Sequence, residues 1–433
     1  MNRFARNIKA KFNRILHEMS LSVSQYVKKP GVDFTRNYKL PFKKTILTIV
    51  MMGGLNLNRE LLRVFNYNTY VPTASAFVQQ RDKILPEAFS FLFREFTDSL
   101  PQTKGFNGYD LYAVDGSDIT IYRNPKDIST YIQNGENAKG YNLLHINALY
   151  DLQNRLYKDF IVQKAAEKNE TKALMEMANR LISKRKPIIL GDRGYESYNV
   201  FAHLEKFGLK YAIRVKDIRS TGILSGLKLP DGEFDVDISM KLTRRQTKEV
   251  KRNPDKYKIV PSTTTFDHFD RDGFCQISFR VVRFKLKTGE YEVIITNLSR
   301  DEFPPEKIKE LYNKRWGIET SFRKLKYTIG LSALHARKAD SILQEIAARM
   351  LMYNFCEVIV TNIIIQNKDR KYHYQVNFTT AAAICLKFFR CRGAKPPNVT
   401  ALIMKCILPI RPDRSAPRVV KSKGAYSFVY RIA

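Results

Sequence analysis

Two short apolar runs, each leading into an aspartate, constrain the fold of this chain more than any other feature. In LYAVDGSDITIY the run 111–114 is followed directly by Asp115, with Asp118 three residues on; in KPIILGDRGYES a short buried strand delivers Asp192 at its C-terminal end. Between them HINALYDLQNRLYKDFIVQ alternates as two strands around a turn at 151–155, and ETKALMEMANRLISK has the period of an amphipathic helix. A helix in SYNVFAHLEKFG and a strand in LKYAIRVK follow, so the order is strand, hairpin, helix, strand, helix, strand. An aspartate after a strand is most often a turn former or a helix cap. By themselves, Asp115 and Asp192 carry no chemistry.

A third acidic residue changes their meaning. The stretch YNKRWGIETSFRKLK, residues 312–326, places one carboxylate among bases and aromatics. At about 100° per residue, with Tyr312 at zero, Arg315, Glu319 and Lys326 fall within an arc of roughly 60° with it, while Leu311, Ile318, Phe322, Leu325 and Ile329 form an apolar stripe alongside. A helix packed by that stripe presents Glu319 at the edge of the core. A solvated helix laced with i,i+4 ion pairs is the plain alternative.

The pattern Tyr-x2-Arg-x3-Glu-x6-Lys resembles the Tyr-Arg-Glu-Lys signature of the DDE-type insertion-sequence transposases, and DGSD and GDRGY resemble the first and second acidic motifs of the same group, in the same order. The resemblance implies an α/β fold with a ribonuclease-H-like mixed-sheet catalytic core, a β-rich insertion and a helical N-terminal domain. On that plan residues 1–105 are the helical, DNA-binding N-terminal domain, 106–215 the first part of the core, 216–300 the insertion, 301–366 the second part with the catalytic helix, and 367–433 a basic C-terminal region. It further implies that Asp115 bridges two Mg²⁺ or Mn²⁺ ions while Asp192 and Glu319 each hold one, that Arg315 and Lys326 grip the DNA backbone beside the cut, and that Tyr312 packs against or hydrogen-bonds the strand. Hard oxygen ligands suit those ions, and two of them about 3.5–4 Å apart would activate the nucleophile and stabilise the leaving oxygen. Arg193, Tyr195, Trp316 and Arg323 stand near the motifs and serve either DNA or the core.

Relatives in the group commonly stack an aromatic on a flipped base, often a tryptophan in the insertion. This chain departs there, since its only tryptophan is Trp316; Tyr291, Phe284 and Phe279 are the available substitutes.

Charge points the same way. The 433 residues carry 74 Lys and Arg against 42 Asp and Glu, a net +32, which repels itself and favours a polyanionic partner, nucleic acid or anionic membrane. Membrane insertion is disfavoured because the longest apolar run, 350–366, contains Asn354, Glu357 and Asn362 and reads as a buried helix. The five cysteines form no CxxC, which fits free thiols in a reducing cytoplasm, and the six histidines are scattered singly and read as structural. Helices are expected through 1–105, including one capped by Thr73 and one opened by Pro86, as a DNA-binding unit or a helical packing domain. Residues 367–433 hold 14 Lys or Arg against two Asp, and their final stretch, RPDRSAPRVVKSKGAYSFVYRIA, reads as a basic DNA contact or as a solvated end.

The expected function is therefore a bacterial insertion-sequence transposase that binds terminal inverted repeats and target DNA, works as a homodimer in the synaptic complex, and cuts and rejoins strands in the cytoplasm at the nucleoid. A non-catalytic DNA-binding descendant and a ribonuclease-H-like nuclease are the alternatives.

Overall fold

In a computed structural model of the chain, residues 2–36, 39–135, 138–365, 372–391 and 395–411 are described; most of the C-terminal tail expected to contact DNA, residues 412–433, lies outside them. The first hundred residues fold into α1 (Arg3–Leu21), α2 (Phe42–Met51), α3 (Leu57–Val64), α4 (Ala74–Arg81) and α5 (Pro86–Ser99). Local signals set the last two: the Thr73 hydroxyl accepts a hydrogen bond from the Ala76 amide at 3.2 Å, and Pro86, which needs no amide partner, opens α5.

The sheet follows. Its strands are β1 (Tyr109–Ile121), β2 (Tyr131–Ile132), β3 (Tyr141–Asp151), β4 (Leu156–Lys164), β5 (Lys186–Gly191), β6 (Lys210–Val215), β7 (Phe234–Thr243), β8 (Tyr257–Ile259), β9 (Phe274–Lys285) and β10 (Tyr291–Thr296), in the spatial order 2-3-1-5-6-10-9-7-8 with β4 also on β3. The block 4-3-1-5-6, antiparallel then parallel, is the ribonuclease-H-like core that the element order predicts. The β-rich stretch within 216–300 does not form a sheet of its own: β10 pairs antiparallel with β6, so β7–β10 prolong the core sheet.

Alternation along β1 sorts the layers. Tyr112 and Val114 face α6 (Glu170–Asn179) and α7 (Tyr198–Lys206), with Leu174, Met177, Phe201 and Leu204. Leu111, Ala113 and Ile119 face the other way, toward α9 (Pro305–Asn313), α10 (Trp316–Arg323) and α11 (Ala339–Thr361). A short helix, α8 (Lys248–Arg252), lies between β7 and β8, and α12 (Phe378–Arg390), α13 (Val399–Met404) and a hairpin of β11 (His373–Val376) with β12 (Ile407–Ile410) end the described chain.

As expected for the 350–366 run, α11 is a buried helix, and among the described residues no helix is long and apolar enough to cross a membrane. Several of its buried polar groups are engaged from neighbouring elements. Glu345, fully buried, pairs with the Arg81 guanidinium at 2.7 Å and accepts the His335 amide at 2.8 Å, while Arg81 also donates to the Ser341 carbonyl at 2.8 Å. A buried pair of this kind is costly to break from one side. Glu345→Ala should lower the unfolding free energy in urea by about 3–5 kcal/mol, because it strands the Arg81 charge. Burial alone would raise the Glu345 carboxyl, but Arg81 and His335 hold it well below its ordinary value. A depressed carboxylate contributes stability above the unfolded pKa that is lost as pH falls. The wild type should therefore lose stability on acidification below about pH 5 more steeply than Glu345→Gln does.

Candidate active site

The site is built on the parallel pairing of β1 with β5. Tyr112 lies opposite Ile189 and Ala113 opposite Leu190; two residues further along each chain stand Asp115 and Asp192. Both follow the alternation that sends Ala113 and Leu190 toward the α9–α11 face. The strand does not stop at Asp115, contrary to the expectation of two aspartates at strand ends. It runs on through DGSD to Ile121, because β3 supplies an antiparallel partner from Asp151 to Asn142, and Asp115 pairs with Ala148. Only β5 ends there: Asp192 opens a short 3-10 turn, its Oδ1 accepting the Gly194 amide at 2.9 Å.

Glu319 approaches from α10. Leu311, Ile318, Phe322, Leu325 and Ile329 are all buried, so the apolar stripe read from the sequence does seat this segment on the core. The helix is not continuous from 312 to 326 as expected. The amides of Arg315 and Ile318 bond to carbonyls three residues back, at 3.0 and 3.1 Å, which tightens the chain between α9 and α10. Residues Lys324–Ile329 then widen into a π-helical turn, closed by Gly330 at φ 93°. Tightening and widening redistribute the polar arc.

Tyr312 goes into the apolar layer with Ile308 and Leu311 and is 1% exposed, its hydroxyl buried without a hydrogen-bond partner among the described residues. A direct DNA contact through Tyr312 is therefore not available in this arrangement; what its ring touches is the Arg315 guanidinium, 5.6 Å from its centroid. Arg315 is itself only 3% exposed, donates to Glu319 Oε1 at 2.9 Å, and lies 4.9 Å from the ring of Trp316, which is half exposed. It holds the acid from below instead of reaching outward for a phosphate. Lys326, re-aimed by the π turn, donates to the Asp118 carbonyl at 2.8 Å. Burial lowers its pKa, with Asp118 and Asp115 opposing.

Charge shows that the three acids share one environment. Burial pushes the Asp115 carboxyl up to about 6, the charges of Asp192 and Glu319 push in the same direction, and the Gly116 amide and Arg315 resist. Among the described residues, no three His, Cys, Asp or Glu side chains are gathered closely enough to hold a metal ion as they stand. The donor chemistry nevertheless fits a hard divalent cation: Asp115, Asp192 and Glu319 offer only oxygen, and Asp115 has an excess of negative charge that such an ion would relieve. Glu319 would have to leave Arg315 to join it.

Sequence reasoning missed a second polar group beneath the first. His145, read as a lone structural histidine, lies on β3 opposite Asp118, with its Nδ1 2.6 Å from Asp118 Oδ1 and its Nε2 3.1 Å from Glu170 Oε1. The latter approach is poorly aligned for a hydrogen bond. The β1–β3 register was the only signal for this cluster, and residue types alone do not reveal a register. Of the proposed stacking aromatics, Phe279 and Phe284 are buried in the sheet's cores, and Tyr291 lies under Arg283, 3.7 Å from its ring centroid.

A family model described as a transposase DDE domain matches residues 106–355, which contain all three acids. Transposase InsG for insertion sequence element IS4 of Escherichia coli (strain K12) is 28% identical over 134 residues, 28% of this chain and 29% of that protein. Putative transposase InsL for insertion sequence element IS186A of the same organism is 31% identical over 88 residues, 20% of this chain and 22% of that protein. The aligned segments thus span less than a third of these relatives. Among solved structures, a piggyBac transposase synaptic complex with hairpin DNA superposes with a TM-score of 0.43 and 11% identity, covering 94% of this chain and 84% of that one.

If like-charge repulsion is centred on Asp115, Asp115→Asn should stabilise the metal-free protein by about 1–3 kcal/mol in urea unfolding. In the wild type, Mn²⁺ at a hundredfold excess over its dissociation constant should add about 2.7 kcal/mol. An undiminished Mn²⁺ gain in Asp115→Asn would show that the ion binds elsewhere.

Proposed function

Since the chain belongs to the transposase DDE-domain family, we propose that it cuts DNA at the terminal inverted repeats of a bacterial insertion sequence and joins the freed ends to target DNA. The observation that carries this reading is that the β1–β5 pairing sets Asp115 and Asp192 side by side and that the charges of Asp192 and Glu319 both act on Asp115. In the first step water attacks a phosphodiester, the P–O3′ bond breaks, and a 3′ hydroxyl is released. In the second that hydroxyl attacks a target phosphodiester, one P–O bond replacing another, so no energy source is consumed. Two Mg²⁺ or Mn²⁺ ions, when bound by the three carboxylates, would supply activation of the attacking oxygen and charge relief on the leaving one. The protein's own work is to hold the acids: Asp115 and Asp192 through the strand register, Glu319 through Arg315, with Tyr312 packed behind Arg315. Lys326 brings positive charge to the same edge. A dimer on two ends, acting in the cytoplasm at the nucleoid, completes the proposal, since two ends must be joined to nearby target positions.

The N-terminal helices would read the ends. Between Leu57 and Arg81 the only acid, Glu60, is fully buried, while Asn58, Arg59, Arg63, Asn66, Asn68 and Gln79 are exposed. Tyr67 and Tyr70 project between α3 and α4, each 72% exposed. A polar, basic stretch with two exposed aromatic rings suits duplex DNA. Replacing Arg59 and Arg63 together by Ala should weaken binding to every duplex and reduce the slope of log affinity against log salt by roughly 2; an unchanged slope would place the contact elsewhere.

Catalysis is tested on labelled DNA carrying the element's own ends, with Mg²⁺ or Mn²⁺. Wild type should nick at the element boundary, and Glu319→Gln should bind the same DNA but nick at least 100-fold more slowly, the scale of losing a transition-state charge stabiliser. Binding without cutting by the wild type would favour a non-catalytic DNA-binding protein.

A further inference from the structure

Beneath the carboxylates, on the opposite face of β1, lies a polar cluster that the cutting reaction as described does not use. Asp115 points toward α10, but the next residue, Gly116, faces α6, where His145 and Glu170 are packed against its backbone. A Cβ on Gly116 would collide with the His145 ring and stand 2.8 Å from Glu170 Oε1. The other oxygen of the same carboxylate covers the second acidic motif: a Cβ on Gly194 would stand 3.0 Å from Glu170 Oε2 and 3.1 Å from Asp192 Oδ1. One carboxylate therefore touches the backbone beside Asp115 with one oxygen and the turn that orients Asp192 with the other. Glycine at both positions is what lets it in.

The carboxylate is itself fixed. Glu170 is the first residue of α6, a favourable place for negative charge, and that helix is capped by Asn169 Oδ1, which accepts the Lys172 amide at 2.9 Å. Lys168 Nζ lies 3.1 Å from Glu170 Oε1. His145, 2% exposed, turns both ring nitrogens toward carboxylate oxygens, Asp118 on one side and Glu170 on the other, so the ring spans from β3 to α6. Tyr195, fully buried in the same layer, keeps its hydroxyl without a hydrogen-bond partner among the described residues, within the electrostatic reach of Glu170, Asp115 and Asp192.

On the transposase reading above, we infer that Glu170, clamped by His145, is a positioning residue that sets the spacing between Asp115 and Asp192 from the far side of the sheet. Its shape does the work: it is a strut between two glycine backbones. The strut tolerates an isostere and fails on truncation, whereas a direct participant in the chemistry needs the negative charge.

The test compares Glu170→Ala, Glu170→Gln and His145→Gln in the full-length protein by Mn²⁺ affinity from electron paramagnetic resonance, by melting temperature, and by nicking of end DNA over a Mn²⁺ series. Glu170→Ala should remain folded, bind DNA with unchanged affinity, lose Mn²⁺ affinity at least tenfold and need correspondingly more Mn²⁺ for half-maximal nicking. Glu170→Gln should stay within threefold of wild type on both readings. His145→Gln should lose Mn²⁺ affinity as Glu170→Ala does, and serves in its place if truncation prevents folding. Unchanged Mn²⁺ affinity in Glu170→Ala and His145→Gln overturns the proposal, and equal damage from Glu170→Gln and Glu170→Ala overturns it in favour of direct participation. A wild type that binds Mn²⁺ but never cuts, with affinity lost in Glu170→Ala, refutes the catalytic reading and leaves the strut standing; a wild type that binds no Mn²⁺ refutes both.

Discussion

Parallel pairing of β1 with β5 brings two carboxylates to the same level on neighbouring strands, and everything else at this end of the molecule answers the resulting problem of charge. Burial first, and then repulsion from Asp192 and Glu319, makes Asp115 resist ionisation, which is why its carboxyl is raised to about 6. Arg315 opposes that shift, and it is shared, since its guanidinium is also bonded to Glu319. The metal-free site is thus under-neutralised, a state that favours a divalent cation.

Placing Glu319 opposite those acids depends on packing far from them. The segment that carries it is tied both to the sheet and to the helical body: Ser321 shares a hydrogen bond with Tyr157 of β4 at 2.8 Å, and Lys324 bonds to the buried Glu357 of α11 at 2.5 Å while lying 4.3 Å from the Phe378 ring of α12. In turn α11 is fixed to the N-terminal helices through Arg81–Glu345 and through Arg349, which donates to the carbonyls of Met52 and Gly53.

Much of this was legible in the sequence, for reasons that particular residues show. Thr73 and Pro86 announce their helices through local bonding, and the alternation in FCQISFRVVRFKLK and EYEVIIT gives β9 and β10 because each strand's pattern is written along itself. The apolar stripe from Leu311 to Ile329 identified the face that α10 buries. What stayed hidden was whatever depends on a second segment. The extension of β1 beyond Asp115 requires β3 as partner, and the meeting of His145 with Asp118 requires their register. The 3-10 and π turns flanking α10 escape a wheel drawn at a constant angle, which is why Tyr312 was placed on the polar arc and is found in the core. Phe279 and Phe284 looked available for stacking because one strand's alternation does not say that the faces on which they lie are both covered.

The central claim is that Asp115, Asp192 and Glu319 converge on bound metal. The most direct measurement is a crystal structure of the protein with an element-end duplex and Mn²⁺, recorded at a wavelength where Mn²⁺ scatters anomalously. The claim predicts anomalous density between Asp115 and Asp192, with Glu319 turned from Arg315 to coordinate it and the scissile phosphate alongside. Density elsewhere on the protein, or a Glu319 still bonded to Arg315 with Mn²⁺ and DNA both bound, would contradict it.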